Sequence, residues 1–147
     1  MSATPTFNTQ ILGQTENALN AILERHLAGT PLTEPGWVML TVAVTSGGAV
    51  ERGRLAARVA DALKIGHADA DAQIAALADA GLVRAAADDD SAVAVTDAGR
   101  ELHGRIRGSV TEITQRMWGD LPPEDLATAG RVLATILARA NAELETD

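Results

Sequence analysis

The chain contains no cysteine and no tyrosine, and it has one phenylalanine and two tryptophans in 147 residues. Without thiols it forms no disulfide, no thiolate metal centre and no thiol redox sensor. With so few aromatics, a core must be assembled from Ala, Leu, Val and Ile, which each remove little apolar area from water. Burial against a second copy is therefore expected to supply part of the stability. Cations are scarce as well: 12 Lys and Arg stand against 20 Asp and Glu, giving a formal charge of −8 and a pI near 4.8. That balance disfavours non-specific attachment to polyanions, because nucleic-acid affinity comes from basic surface that displaces counterions. Any DNA contact has to come from a local patch. No apolar run approaches a membrane span, and the opening MSATPTFNTQ lacks the basic and apolar regions of an export signal, so a cytoplasmic protein without membrane association is expected.

What is present is mostly helical spacing. The length suits one domain, or a small domain with dimerisation arms. Phe7, Ile11, Leu12, Leu19, Ile22 and Leu23 recur at helical intervals between Phe7 and Leu27, and Gly29-Thr30-Pro31 ends the run. In LTEPGWVMLTVAVTSGG, Thr33 can cap a helix that carries Glu34 and Pro35 in its first turn. Its apolar stretch from Trp37 to Val44 makes it a central helix. ERGRLAARVADALK places Leu55, Val59 and Leu63 on one stripe, with Arg52, Arg54 and Arg58 off it. A further helix over Ala68–Ala80 turns Ile74 and Leu77 inward and stops at Gly81.

The stretch from Gly81 to Arg100 then changes period. Leu82, Val83, Val93 and Val95 have strand spacing around a turn at Asp88, Asp89 and Asp90. Thr96 follows as an N-cap for a long helix with Leu102, Ile106, Val110, Ile113 and Met117 on one stripe. DLPPEDL starts a last helix that continues through Leu126, Val132, Leu133, Ile136, Leu137 and Leu144. The pattern gives a mainly α fold with a small β-hairpin wing. A winged helix-turn-helix at 33–99 is flanked by an N-terminal dimerisation helix at 1–32 and C-terminal dimerisation helices at 100–147. The first helix and the last two have apolar stripes without a partner inside the winged unit, and a second copy would supply one.

Three stretches resemble the MarR family of winged helix-turn-helix transcription regulators over nearly the full chain. They are LTEPGWVML, GRLAARV, and the pair LADAGLV and VTDAGR that frames the wing. The resemblance implies a homodimer that binds a near-palindromic double-stranded DNA operator, with recognition helices in major grooves and wings at the flanking minor grooves. It also implies release by a small, often aromatic, effector held between the dimerisation helices and the winged unit. The family's wing tip usually bears Asp-Arg-Arg, whereas this chain has Asp88-Asp89-Asp90-Ser91. From Glu51 to Gly99, five cations (Arg52, Arg54, Arg58, Lys64, Arg84) face nine acids (Glu51, Asp61, Asp69, Asp71, Asp79, Asp88, Asp89, Asp90, Asp97). A carboxylate aimed at the DNA backbone subtracts from affinity, so the cations must face the duplex while the acids point away.

On this basis Arg52, Arg54, Lys64, His67, Gln73 and Arg84 are the candidate DNA contacts. Gln pairs with adenine, and a helix N-terminus approaches phosphate. The plainer alternative for each is a solvated surface residue. His26, Trp37 and Met39 are the candidate effector contacts, with core packing as the alternative for Trp37 and Met39. Trp118 is expected to be a packing anchor in the core or at the dimer interface. The three His residues, 26, 67 and 103, are too scattered for a metal site. No nucleophile, base and orienter set and no phosphate-cradling glycine loop occurs, so neither catalysis nor a cofactor is expected. A winged-helix module that has lost DNA binding and instead holds a protein or small molecule is the competing reading.

Overall fold

The computed structural model describes residues 5–146. Six helices and three strands follow in the order α1 (Thr9–Leu27), α2 (Glu34–Thr45), β1 (Ala49–Glu51), α3 (Arg52–Leu63), α4 (His67–Asp79), β2 (Val83–Ala86), β3 (Asp89–Val95), α5 (Asp97–Trp118) and α6 (Pro123–Glu145) among the described residues. No helix among them is long and apolar enough to cross a membrane. The chain divides into two compact units, Met1–Val110 and Thr111–Asp147.

The first unit is built around α2. Its side chain at Thr33 accepts from the Gly36 amide at 3.2 Å, and Pro35 stands in the first turn where its missing N–H is no loss. Met39, Leu40 and Ala43 are fully buried, and Leu55, Val59, Ile74, Leu77, Val93, Val95, Leu102 and Ile106 complete the core around them. As the spacing predicts, α3 packs through Leu55 and Val59, and α4 packs through Ile74 and Leu77. α1 begins two residues later than Phe7, because the Asn8 side chain accepts from the Ile11 amide and caps it. Among its residues only Leu27 is buried.

The hairpin of the sequence reading is a three-stranded antiparallel sheet in the order β1-β3-β2. β1 is only Ala49-Val50-Glu51, too short to show a period of two, and it is a strand because β3 offers it an edge with Val50 opposite Val93. The turn is also shorter than expected. Ala87 and Asp88 make it, while Asp89 and Asp90 already belong to β3.

The junction of wing and α5 accounts for the spacing of GLV and VTDAGR. Gly81 has φ +77, the left-handed conformation that glycine adopts without penalty. Thr96 then closes the ring: its hydroxyl donates to the Gly81 carbonyl at 2.7 Å and accepts from the Gly99 amide at 3.0 Å, while its amide donates to the Leu82 carbonyl at 3.0 Å. Arg100 lies across Gly48 and reaches the Val95 carbonyl at 3.4 Å. One threonine thus fixes the end of α4's connection, the base of the wing and the start of α5.

The second unit holds the end of α5 and all of α6. Pro122 precedes α6, whose first turn carries Glu124 and Asp125, as the helix dipole favours. No residue of α6 is buried, and Met117, Trp118, Leu121, Val132, Leu133, Leu137 and Leu144 are exposed. Trp118, expected to pack in the core or at a dimer interface, is not in the core of this chain.

Candidate functional site

α4 follows α3 as the second helix of a helix-turn-helix and leads into the wing. Gly66 starts it without a capping side chain, so the amides of its first turn keep their capacity to meet an anion. His67 occupies the first position, with Nδ1 3.9 Å from the Asp71 carboxylate. The inward stripe consists of Ala70, Ile74 and Leu77. Gln73 shares that side of the helix by its spacing, and its carboxamide oxygen lies 3.6 Å from where a side chain on Gly36 of α2 would begin. Gln73 is half-buried and directed at α2, a placement at odds with the expected contact to a base. The outer face instead presents Ala68, Ala72, Ala75, Ala76 and Asp79.

The other expected DNA contacts are exposed cations. Arg52 and Arg54 stand in the first turn of α3, where the Glu51 carboxylate caps the helix by accepting from the amides of Gly53 and Arg54 at 3.1 and 2.8 Å. That carboxylate fills the helix N-terminus, so a phosphate there would have to be met by the two guanidinium groups. Lys64 caps α3 in a left-handed conformation, φ 56, with its ammonium 3.2 Å from Asp61. Arg84 projects from the outer face of the sheet, opposite the face that buries Val50, Val93 and Val95. Arg58 is committed elsewhere, donating to the Ser46 hydroxyl at 2.9 Å beside the end of α2. At the wing tip the Asp89 carboxylate accepts from both the amide and the hydroxyl of Ser91, which holds its pKa below the ordinary carboxylate value. The tip stays anionic at neutral pH.

The three expected effector contacts differ in exposure. His26 is exposed near the end of α1, and Met39 is fully buried in the core, so Met39 packs the fold and lines no surface. This corrects the assignment of Met39 to an effector cleft. A depression of about 290 Å³ between the end of α1 and the start of α2 is lined by Glu24, Leu27, Thr30, Leu32 and Glu34 among others, and by none of the three. Trp37 is half-buried and stacks on His103 of α5, with ring centroids 4.9 Å apart and planes 20° from parallel.

His103 is the residue that sequence reasoning missed. It is the buried charged or polar residue among those described, at 4% exposure. Its Nε2 has no hydrogen-bond partner there, and neither does the buried hydroxyl of Thr41, one turn beyond Trp37 on α2. Its place next to Leu102 and three before Ile106 puts it on the apolar stripe of α5, and that signal was legible. Burial first, and the Arg107 charge second, push its pKa below the ordinary 6.5. The unfolded chain then takes up the proton at higher pH than the folded one does, so His103 contributes stability that is lost as pH falls through 6.5. In urea unfolding, the wild type should lose more stability than His103→Phe between about pH 7.5 and about pH 5.5.

No group of three or more His, Asp and Glu among the described residues could hold a metal ion. The sequence matches no family model and no curated protein. Solved structures give the fold. Ligand-free NadR superposes with a TM-score of 0.75 at 19% identity, covering 95% of this chain and all of that one. AbsC, a MarR family transcriptional regulator from Streptomyces coelicolor, superposes at 0.72 and 22% identity, over 96% of this chain and 99% of that one. The chain has the MarR fold. CouR from Rhodococcus jostii, solved with p-coumaroyl-CoA bound, shares the MarR fold at 0.72 and 18% identity, over 86% of this chain and 88% of that one. Within that fold, α3 and α4 form the helix-turn-helix, β2 and β3 the wing, and β1 the third strand that pins the wing to α3.

Proposed function

We propose that the chain is a homodimeric, ligand-responsive transcription regulator that binds double-stranded DNA. The observation that carries this is the helix-turn-helix α3–α4 joined to a wing by the Thr96 ring, within a fold shared over 96% of the chain with the transcriptional regulator AbsC. The segments 1–32 and 100–147 serve as dimerisation arms, and the apolar side chains left exposed on α1 and α6 are the surfaces they bury. Arg52, Arg54 and Arg84, with His67 at the open N-terminus of α4, supply the phosphate contacts, and Lys64 joins them when it leaves Asp61. Base readout falls to the small outer face of α4. The effector is a small aromatic molecule, by analogy with the aromatic acyl group of the ligand bound to CouR. The effector acts by favouring a dimer whose α4 helices no longer match the half-site spacing. A cytoplasmic location and the lack of catalysis belong to the same reading.

A second reading has a specific observation behind it. The outer face of α4 carries no Lys or Arg, and the wing tip is three consecutive aspartates. Such a surface suits a protein or small-molecule partner better than it suits DNA. A salt titration with duplex from the gene's own upstream region separates the two. A regulator shows saturable binding whose logarithm falls linearly with log salt, and Arg52→Ala and Arg84→Ala should each lower the slope by about 1. Absence of saturable binding at low salt would leave the module reading.

A further inference from the structure

We propose that His103 is a proton-sensitive latch between α2 and α5. When its imidazole takes up a proton, the ring leaves its seat against Trp37, the first half of α5 loosens from the winged core, and DNA binding weakens. Only the last step rests on the reading of the chain as a DNA-binding regulator, and it deepens that reading by naming its regulation.

The seat is a joint between two elements. Leu102, His103 and Ile106 are the buried side chains through which the first half of α5 meets the core, with Val110 packed at its edge. His103 is the polar one of the three, 4% exposed. Its ring stacks on Trp37 of α2, with centroids 4.9 Å apart and planes 20° from parallel. Nε2 is buried without a hydrogen-bond partner, and so is the hydroxyl of Thr41 on the same helix as Trp37. A neutral imidazole tolerates this place, because stacking needs no hydrogen bond and one of its nitrogens carries no proton. An imidazolium donates from both nitrogens. In this seat its buried Nε2 would donate to nothing, and its charge would have lost its water.

Among the described residues no salt bridge offsets that charge. On α5, Arg107 lies one turn after His103 and adds charge of the same sign. Arg100, one turn before it, is held towards Asp97 at 3.8 Å and the Val95 carbonyl at 3.4 Å. α2 carries a single charged residue, Glu34, in its first turn. α1, which packs on α2, carries Glu24, Arg25 and His26 near its end, all exposed. The Trp37 face attracts an imidazolium, but that attraction satisfies no N–H and replaces little of the lost hydration. Burial and Arg107 accordingly hold the pKa of the seated ring below 6.5. Swung out into water, the ring titrates as an ordinary histidine, so the open form binds the proton more tightly. Acid therefore favours the open form. Its ratio to the closed form rises by up to about tenfold per pH unit between 6.5 and the lower pKa of the seated ring. Thr96 ties the start of α5 to the wing and to the turn after α4. Loosening at His103 thus leaves the proposed DNA contacts without one fixed arrangement, which binding must first restore.

Hydrogen exchange on the full chain reads the opening, and operator binding reads its consequence. In the wild type, after correction for intrinsic rates, protection of the amides from Arg100 to Ile106 should fall by up to about tenfold per pH unit below about pH 6.5. These amides should also exchange faster than those of Leu40 and Val59 in the core, the mark of a local opening. His103→Phe keeps an aromatic ring against Trp37 but has no proton to gain, and its protection should be independent of pH. From about pH 7.5 to about pH 5.5, the affinity for duplex from the gene's own upstream region should fall by about threefold or more in the wild type relative to this variant. His67 is present in both proteins, so its own titration cancels. Wild-type protection that holds constant down to acid unfolding overturns the latch. So does exchange of these α5 amides only together with the core, or the same pH dependence of protection in both proteins. Operator affinities that follow pH identically overturn its last step. If His103→Phe fails to fold, His103→Gln supplies the comparison. Absence of DNA binding at every pH, with the opening present, sinks the regulator reading and leaves the latch, while DNA binding without the opening does the opposite.

Discussion

Gly99→Ala is expected to destabilise the chain by about 3 kcal/mol, enough to remove a large share of the stability of a domain this size. A methyl group at this position would collide with the Leu82 carbonyl oxygen, and it would stand 2.9 Å from the Val95 side chain. The usual escape, a small shift of the neighbour, is closed. The Leu82 carbonyl already accepts from the Thr96 amide at 3.0 Å, and the Leu82 amide donates to Leu77 at 2.9 Å. Moving either backbone would break the ring that joins α4, the wing and α5. Gly108→Ala, on the same helix with open space around it, is the control. It should be neutral or stabilising in the monomer by up to about 1 kcal/mol, because alanine is the better helix former. Urea midpoints of the two variants on either side of the wild type check the claim. Equal midpoints would show that the close approach to Leu82 is not rigid.

Glutamate at both Leu133 and Leu137 is expected to convert the proposed dimer into a monomer at micromolar concentration. α6 is 23 residues long with no buried position, and these two leucines, 43% and 59% exposed, lie one turn apart on the same stripe as Leu144. Monomers seldom expose so continuous an apolar strip without a partner for it. Two carboxylates placed there would have to be desolvated on association, a cost of several kcal/mol, which exceeds the gain from the remaining apolar contacts. Light scattering reads the mass directly. On the proposed reading, in which each subunit meets one half-site, DNA affinity should fall with it by about 100-fold or more. A double variant that remains dimeric would place the interface elsewhere.

The helices of the first unit were legible because their stripes are local. Leu55 and Val59, or Ile74 and Leu77, are four or three apart, and burial of those same residues follows from that spacing alone. The caps at Thr33 and Thr96 were legible for the same reason, since each side chain bonds an amide three residues on. β1 was not, because three residues carry no period and its partner is more than forty residues away at Val93. At the site, exposure of Arg52, Arg54 and Arg84 agreed with their place off the apolar stripes. Gln73 is half-buried, as its spacing from Ala70 and Leu77 on the packed side of α4 implies. His103 carries a local signal of burial, since it lies beside Leu102 and three residues before Ile106 on the α5 stripe.

By itself the sequence determined the order of helices, their caps, the inward faces and the acidic character of the wing, because each depends on residues within a turn or two of one another. Tertiary structure decided the third strand, the clash that makes Gly99 necessary, the direction of Gln73, and the meeting of Trp37 with His103. Each of those sets a residue against a backbone or ring distant in the chain. Such contacts exist only after packing has brought the elements together, and no local spacing encodes them.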